Sequence, residues 1–153
     1  MKTIHSVAGK IAFALGKGVI AGLAGTAAIS VSQMIEMKIT GRKPSDTPAK
    51  AVNKVLNVKA TDEQHKEEFV EEVHWTYGTL WGLARSVLDL VGVKGIAATA
   101  VHYGAVWGTE MVMLPSLDVA EPVTKWGGKA IAKDGLNHLV YAVAAGLVYD
   151  AID

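Results

Sequence analysis

The sequence predicts an all-α protein: a four-helix transmembrane bundle with a short amphipathic helix in the first connection, forming one domain over residues 1–153. Three observations carry this expectation. Residues 18–35, 73–84, 95–109 and 135–149 contain no Asp, Glu, Lys or Arg, although 20% of the chain is charged. Small residues recur at i, i+4 in these segments, as Gly18–Gly22, Gly78–Gly82, Gly104–Gly108 and Ala142–Gly146. In lipid such pairs let helix backbones approach, whereas Gly in a water-exposed helix costs about 1 kcal/mol against Ala. Capping and breaking signals fall between the segments. The alternative is a soluble four-helix bundle with buried helices, because uncharged runs of about 15 residues are short for a membrane span.

The first helix is expected over 5–38. Its apolar run, Gly18 to Ile35, is flanked by Lys17 and Glu36, roughly 28 Å apart at helical rise. Lys10 and Lys17 interrupt its outer part from His5 onward, which argues against a cleaved signal peptide. Thr47-Pro48 forms an N-cap and N1 pair opening a short helix over 48–58. Its apolar stripe of Ala51, Val52, Val55 and Leu56 suits the membrane interface or the bundle. Thr61 with Gln64 predicts a capping box, with Asp62 and Glu63 favouring the helix dipole, at the head of a helix over 62–91. That helix is the least apolar span, since it carries Arg85 and Asp89. The third helix is expected over 94–114, with Glu110 inside its apolar run and Pro115 near the end. Pro122 and Gly127-Gly128 mark a break enclosing a short helical turn. The fourth span, over 129–150, holds the apolar run between Asp134 and Asp150.

Tyr77-Gly78-x-x-Trp81-Gly82 recurs as Tyr103-Gly104-x-x-Trp107-Gly108. Consecutive spans run antiparallel, so the echo fits an inverted repeat or shared small-residue packing. The repeated glycine pairs exceed what a lone bundle needs, which predicts a homo-oligomer or a membrane partner subunit. Trp75, Trp81, Trp107, Trp126 and the tyrosines read as core or interface anchors.

Composition excludes several classes. Acids and bases number 15 each and half the residues are hydrophobic, against a nucleic-acid binder or a disordered chain. The absence of cysteine excludes disulfides, thiolate-held iron–sulfur clusters and Cys-ligated zinc. No nucleophile–base motif, phosphate loop or dinucleotide fingerprint is present. Ten Lys and Arg lie in connections one and three, against four on the opposite side (Lys2, Lys10, Lys17 and Lys94). This places those connections in the cytoplasm and both termini outside.

Chain direction brings ionisable groups to one level. Glu36 ends the first helix, Glu71 and His74 begin the second, Glu110 lies near the end of the third, and Asp134 and His138 open the fourth. Glu71/His74 and Asp134/His138 each share a helix face. Intramembrane ionisable groups face the bundle interior or a water-filled cavity. Imidazole and carboxylate ligands suit a divalent Zn, Mn or Fe ion, in an arrangement that echoes di-iron carboxylate bundles. Solvated interface charges and ordinary interhelical hydrogen bonds would explain the same residues. A deeper polar station is expected where Arg85 and His102 meet near Asp89, unless Arg85 and Asp89 neutralise each other as an i, i+4 pair.

Residues 110–141 resemble the YagU-like family of bacterial inner-membrane proteins, whose function is not established. Leu114-Pro115-Ser116-Leu117, Glu121-Pro122 and Asn137-His138-Leu139-Val140 carry the resemblance. Glu36 followed by Arg42-Lys43-Pro44-Ser45, and His74, agree less closely. The resemblance covers about half the chain and implies a small multi-pass protein of the bacterial inner membrane, with the lipid bilayer as its surroundings.

Three functions fit. One is a divalent-metal site built from the Glu/His cluster. Another is a proton or ion pathway using the same cluster, with Arg85/His102 as a second station. The third is an accessory subunit of a membrane complex without its own chemistry. Enzymatic activity would need a bound metal with an open coordination position.

Overall fold

The computed structural model describes residues 6–152; Lys2 and His5, the expected first residue of the first helix, lie outside them. The described residues form five α-helices and no strand. These are α1 (Val7–Thr40), α2 (Thr47–Leu56), α3 (Lys66–Leu90), α4 (Gly95–Ser116) and α5 (Gly128–Ala151), with a 3₁₀ turn at Val123–Lys125. The turn lies between Pro122 and Gly127, where the break is expected. By length and composition, one helix among the described residues is a candidate membrane span: α1, with a mean hydropathy of 1.6. α3 carries acids and bases toward both ends, while α4 and α5 dilute their aliphatics with Gly, Ala, His, Tyr and Trp.

Local chemistry sets the helix ends. Gly41 closes α1 in the left-handed region at φ 71°, its N–H donating to the Met37 carbonyl, a conformation that a β-carbon disfavours. Asp46 stands at the N-cap position of α2, one residue before the expected Thr47, without a side-chain capping bond, and Pro48 lies in the first turn. α3 starts at Lys66 because Thr61 does not cap it. Asp62 Oδ1 instead accepts the backbone N–H groups of Gln64 and His65, at 2.9 and 3.0 Å, so the carboxylate forms an Asx-type turn where a hydroxyl-led capping box is expected.

α1 packs on both α3 and α5, while α4 packs chiefly on α5. The α1–α3 seam runs through glycine. A β-carbon at Gly82 would lie 2.6 Å from Gly22 Cα, and one at Gly18 would lie 2.6 Å from the Gly82 carbonyl oxygen. These neighbours are backbone atoms, which cannot rotate aside. Ser86 donates to the Ala14 carbonyl at 2.7 Å, and Tyr141 donates to the Gly78 carbonyl at 2.6 Å. Contacts from Lys17–Tyr149 through Gly25–Tyr141 to Ser32–Asn137 run α1 antiparallel to α5. Contacts from Gly146–Thr99 to His138–Glu110 run α5 antiparallel to α4.

The two copies of the Tyr-Gly-x-x-Trp-Gly motif have different surroundings. Gly78 and Gly82 meet α1, whereas Gly104 and Gly108 have open space beside them. The α4 pair therefore does not hold this bundle together. Buried positions are mostly small or polar: Ala14, Ala21, Ala98, Ala142, Ala145, Thr26, Ser86, Arg85, His102, Asn137 and His138. Large aliphatics point outward, among them Ile20, Leu80, Val87, Ile96, Val101, Val112, Leu136 and Leu147.

Gly82→Ala is expected to lower bundle stability by about 1–3 kcal/mol, the usual range for overpacking. Gly104→Ala should be neutral or slightly stabilising, because Ala is the better helix former. Thermal unfolding of both variants in one detergent checks this; equal loss in both would show that the α1–α3 seam is not close-packed.

Candidate metal centre

The antiparallel α4–α5 contact brings Glu110, near the C-terminus of α4, to Asp134 and His138 in the first half of α5. Asp134 and His138 stand one helical turn apart. His138 Nδ1 lies 2.9 Å from the Asp134 backbone oxygen. A carbonyl only accepts, so Nδ1 carries a hydrogen and donates it. The other ring nitrogen, Nε2, faces Glu110 Oε2 at 2.5 Å. Trp107 Nε1 donates to Asp134 Oδ2 at 2.7 Å and holds that carboxylate on the α4 side. Trp107 is stacked on Tyr103, their centroids 5.4 Å apart, and its ring edge covers Gly135. One ligand atom from each of Glu110, Asp134 and His138 lies within 4.8 Å of the others. This group could hold a metal ion, since four-coordinate ligand atoms at 2.0–2.1 Å from zinc stand about 3.4 Å apart.

The remaining expected ligands have other partners. Glu36 accepts from Arg42 Nε at 2.9 Å, Lys133 Nζ at 3.0 Å and Thr40 Oγ1 at 3.0 Å. It thereby clamps the end of α1 to the following loop and to α5. Glu71 is exposed and accepts the Trp75 indole N–H at 2.9 Å. His74 Nε2 bonds Ser30 Oγ at 3.0 Å, and its ring is within electrostatic reach of Glu110 and His138. It borders the three-residue group without belonging to it.

The deeper station divides between two sets of partners. Arg85 is 0% exposed and pairs with Asp150 at 2.5 Å, its guanidinium 4.5 Å from the Tyr149 ring centroid. Asp89 does not neutralise it; that carboxylate accepts from the Tyr149 hydroxyl and pairs with Lys94. His102 Nε2 bonds the Trp81 carbonyl oxygen at 2.9 Å. Among the described residues, Arg85 Nε and Nη1 and His102 Nδ1 have no hydrogen-bond partner.

Sequence reasoning did not assign Trp107, Lys133 or Asp150 these roles. Trp107 stands three residues before Glu110, on the same helical face, and that spacing was its available signal. Lys133 and Asp150 depend on contacts 97 and 65 residues apart in sequence, for which no local pattern exists.

Glu36 lies just beyond the uncharged Gly18–Ile35 run. The Arg42 and Lys133 hydrogen bonds hold its carboxyl at about 2, below the ordinary 4.5. A lowered folded value means that the clamp contributes fully above pH 4.5 and is lost as pH falls toward 2. The stability difference between wild type and Glu36→Gln should therefore shrink across that interval. Thermal melts at stepped pH measure it, and a constant difference would contradict the clamp. No protein-family model, curated protein or solved structure matches this chain, so its functional reading rests on the geometry.

Proposed function

We propose that this chain is a small integral membrane protein whose α4 and α5 bind a divalent transition metal through Glu110, Asp134 and His138. The observation that carries the reading is the hydrogen bond from His138 Nδ1 to the Asp134 carbonyl oxygen. It fixes the ring so that Nε2, which shares a proton with Glu110 Oε2 here, would coordinate the metal once that proton is released, as second-shell bonds do for metal-bound histidines. Trp107 orients Asp134 in the same way. One imidazole with two carboxylates suits Zn, Mn or Fe and disfavours Cu(I), which seeks softer ligands. Three protein ligands leave room for solvent or a further ligand. A catalytic role would use that open position.

Membrane residence is supported by the apolar length of α1 and by the outward aliphatics over a small, polar interior. In water that distribution would expose many large hydrophobic side chains; in lipid it is the favoured one. In this reading α3, α4 and α5 cross beside α1, with connections one and three in the cytoplasm. The open Gly104–Gly108 face of α4 would receive a second copy or a partner subunit. The YagU-like resemblance agrees with a bacterial inner-membrane location.

Elemental analysis of detergent-purified protein should give close to one transition metal per chain. His138→Ala and Glu110→Gln should bring it to background, while Glu71→Gln should retain it. Trp107→Phe should weaken affinity roughly 10–100-fold, the range for outer-shell partners. Equal metal content in His138→Ala and Glu71→Gln would refute the site. Background metal in every form, with pH-dependent ion flux altered by His138→Ala, would favour the proton pathway. Alkaline washing should leave the chain in the membrane pellet, and its release would contradict integral insertion.

A further inference from the structure

Charge is segregated along the first connection. Residues 38–60 contain six lysines and arginines and one acid, Asp46; residues 61–72 contain six acids and one lysine. The basic half includes α2. Ala49 and Ala51 of that helix are buried, and it packs on α3. Val55, Leu56 and Val58 are left outside, 61%, 65% and 48% exposed. Lys50 is paired with Asp46 within the helix, but Lys54 approaches Asp118 only to 4.0 Å. Among the described residues, Lys38, Lys43 and Lys59 have no carboxylate partner within that distance. Between α2 and the loop after α4 lies an open recess of about 440 Å³, lined by Lys50, Asn53, Lys54, Asp118 and Val119. Within the recess the Asp118 carboxylate faces Lys54; outside it, the uncompensated ammonium groups of Lys38, Lys43 and Lys59 beside exposed aliphatics match a surface with phosphate at one depth and acyl chain at the next.

We propose that α2 and its basic flanks dock on the anionic phospholipid headgroups of the leaflet they face, with Val55, Leu56 and Val58 at the acyl boundary. This rests on the membrane reading. Charge complementarity selects the occupant: an uncharged leaflet offers the aliphatics the same boundary but gives the lysines no net negative charge. Docking would pull on the loops joined to α1 and α3 and fix the cytoplasmic end of the bundle. The Glu36 clamp, with Arg42 and Lys133, lies at that same end.

The chain has no native cysteine, so single labelling sites are clean. Leu56→Cys and, separately, Ile20→Cys in the exposed face of α1 would each carry an environment-sensitive fluorophore. Both proteins would be reconstituted in phosphatidylcholine vesicles and in phosphatidylcholine–phosphatidylglycerol vesicles, with a lipid-borne quencher. The Ile20 label should be quenched in both membranes. The Leu56 label should be quenched strongly only in the anionic one, and high salt should reverse this. Each lysine reversed in Lys50→Glu, Lys54→Glu and Lys59→Glu should lower the docking equilibrium at least about fivefold. Equal Leu56 quenching in both vesicles, or none in either, overturns the proposal while Ile20 quenching preserves the membrane reading. An unquenched Ile20 label overturns both.

Discussion

Backbone contact between α1 and α3 sets the spacing on which the rest of the molecule depends. Gly22 meets the Thr79 backbone, Gly82 meets the Gly18 and Gly22 backbone, the Ser86 hydroxyl lies beside Gly18, and Thr26 fills the space beside Gly78. Such proximity leaves little apolar side chain to bury, so cohesion comes from close packing and from hydrogen bonds that cross the seam. Ser86 to Ala14 and Ser30 to His74 are two of them. The Gly78 carbonyl also accepts the Tyr141 hydroxyl, which seats α5 against α3. α4 then lies on α5 through Thr99 against Gly146 and Trp107 against Gly135. Glu110 reaches His138 at the end of this chain of contacts.

The bundle concentrates its chemistry at its two ends. One end holds Glu110, Asp134 and His138, with the Glu36 clamp beside them. The other holds Arg85, Asp150, Asp89 and Lys94, with the Arg85 guanidinium and the Lys17 ammonium both over the Tyr149 ring. Between them the interior is largely alanine, glycine, threonine and tyrosine. A fully buried guanidinium paired through one nitrogen is costly to break, since removing its partner strands a charge. Each end holds an ion pair, Arg85–Asp150 at one and His138–Glu110 at the other, and the histidine end adds a second carboxylate, Asp134, beside its pair.

The helical class and the glycine pairs were legible because periodicity and spacing are local properties. Gly18–Gly22 and Gly78–Gly82 do meet across a helix seam, and Pro122 with Gly127-Gly128 does bound a short turn. The identical spacing at Gly104–Gly108 faces open space, because spacing places residues on a face without saying what that face touches. Antiparallel threading placed Glu36, Glu71, His74, Glu110, Asp134 and His138 at one level; in the structure Glu110 pairs with His138, while His74 bonds Ser30. It could not tell that Lys133 and Arg42 would take Glu36, or that Asp150 would displace Asp89 as the partner of Arg85. Those choices follow from helix rotation, which depth alone does not determine. Asp62, read only as favouring the helix dipole, takes the Gln64 and His65 N–H groups and turns the chain before α3 begins.

The central claim is that α4 and α5 present one imidazole and two carboxylates to a single metal ion. Metal-edge X-ray absorption on the protein loaded with one equivalent of zinc tests it most directly. The account predicts scattering from one imidazole, with the remaining ligands oxygen, at about 2.0–2.2 Å. A shell with no imidazole, or with two or more, would contradict it.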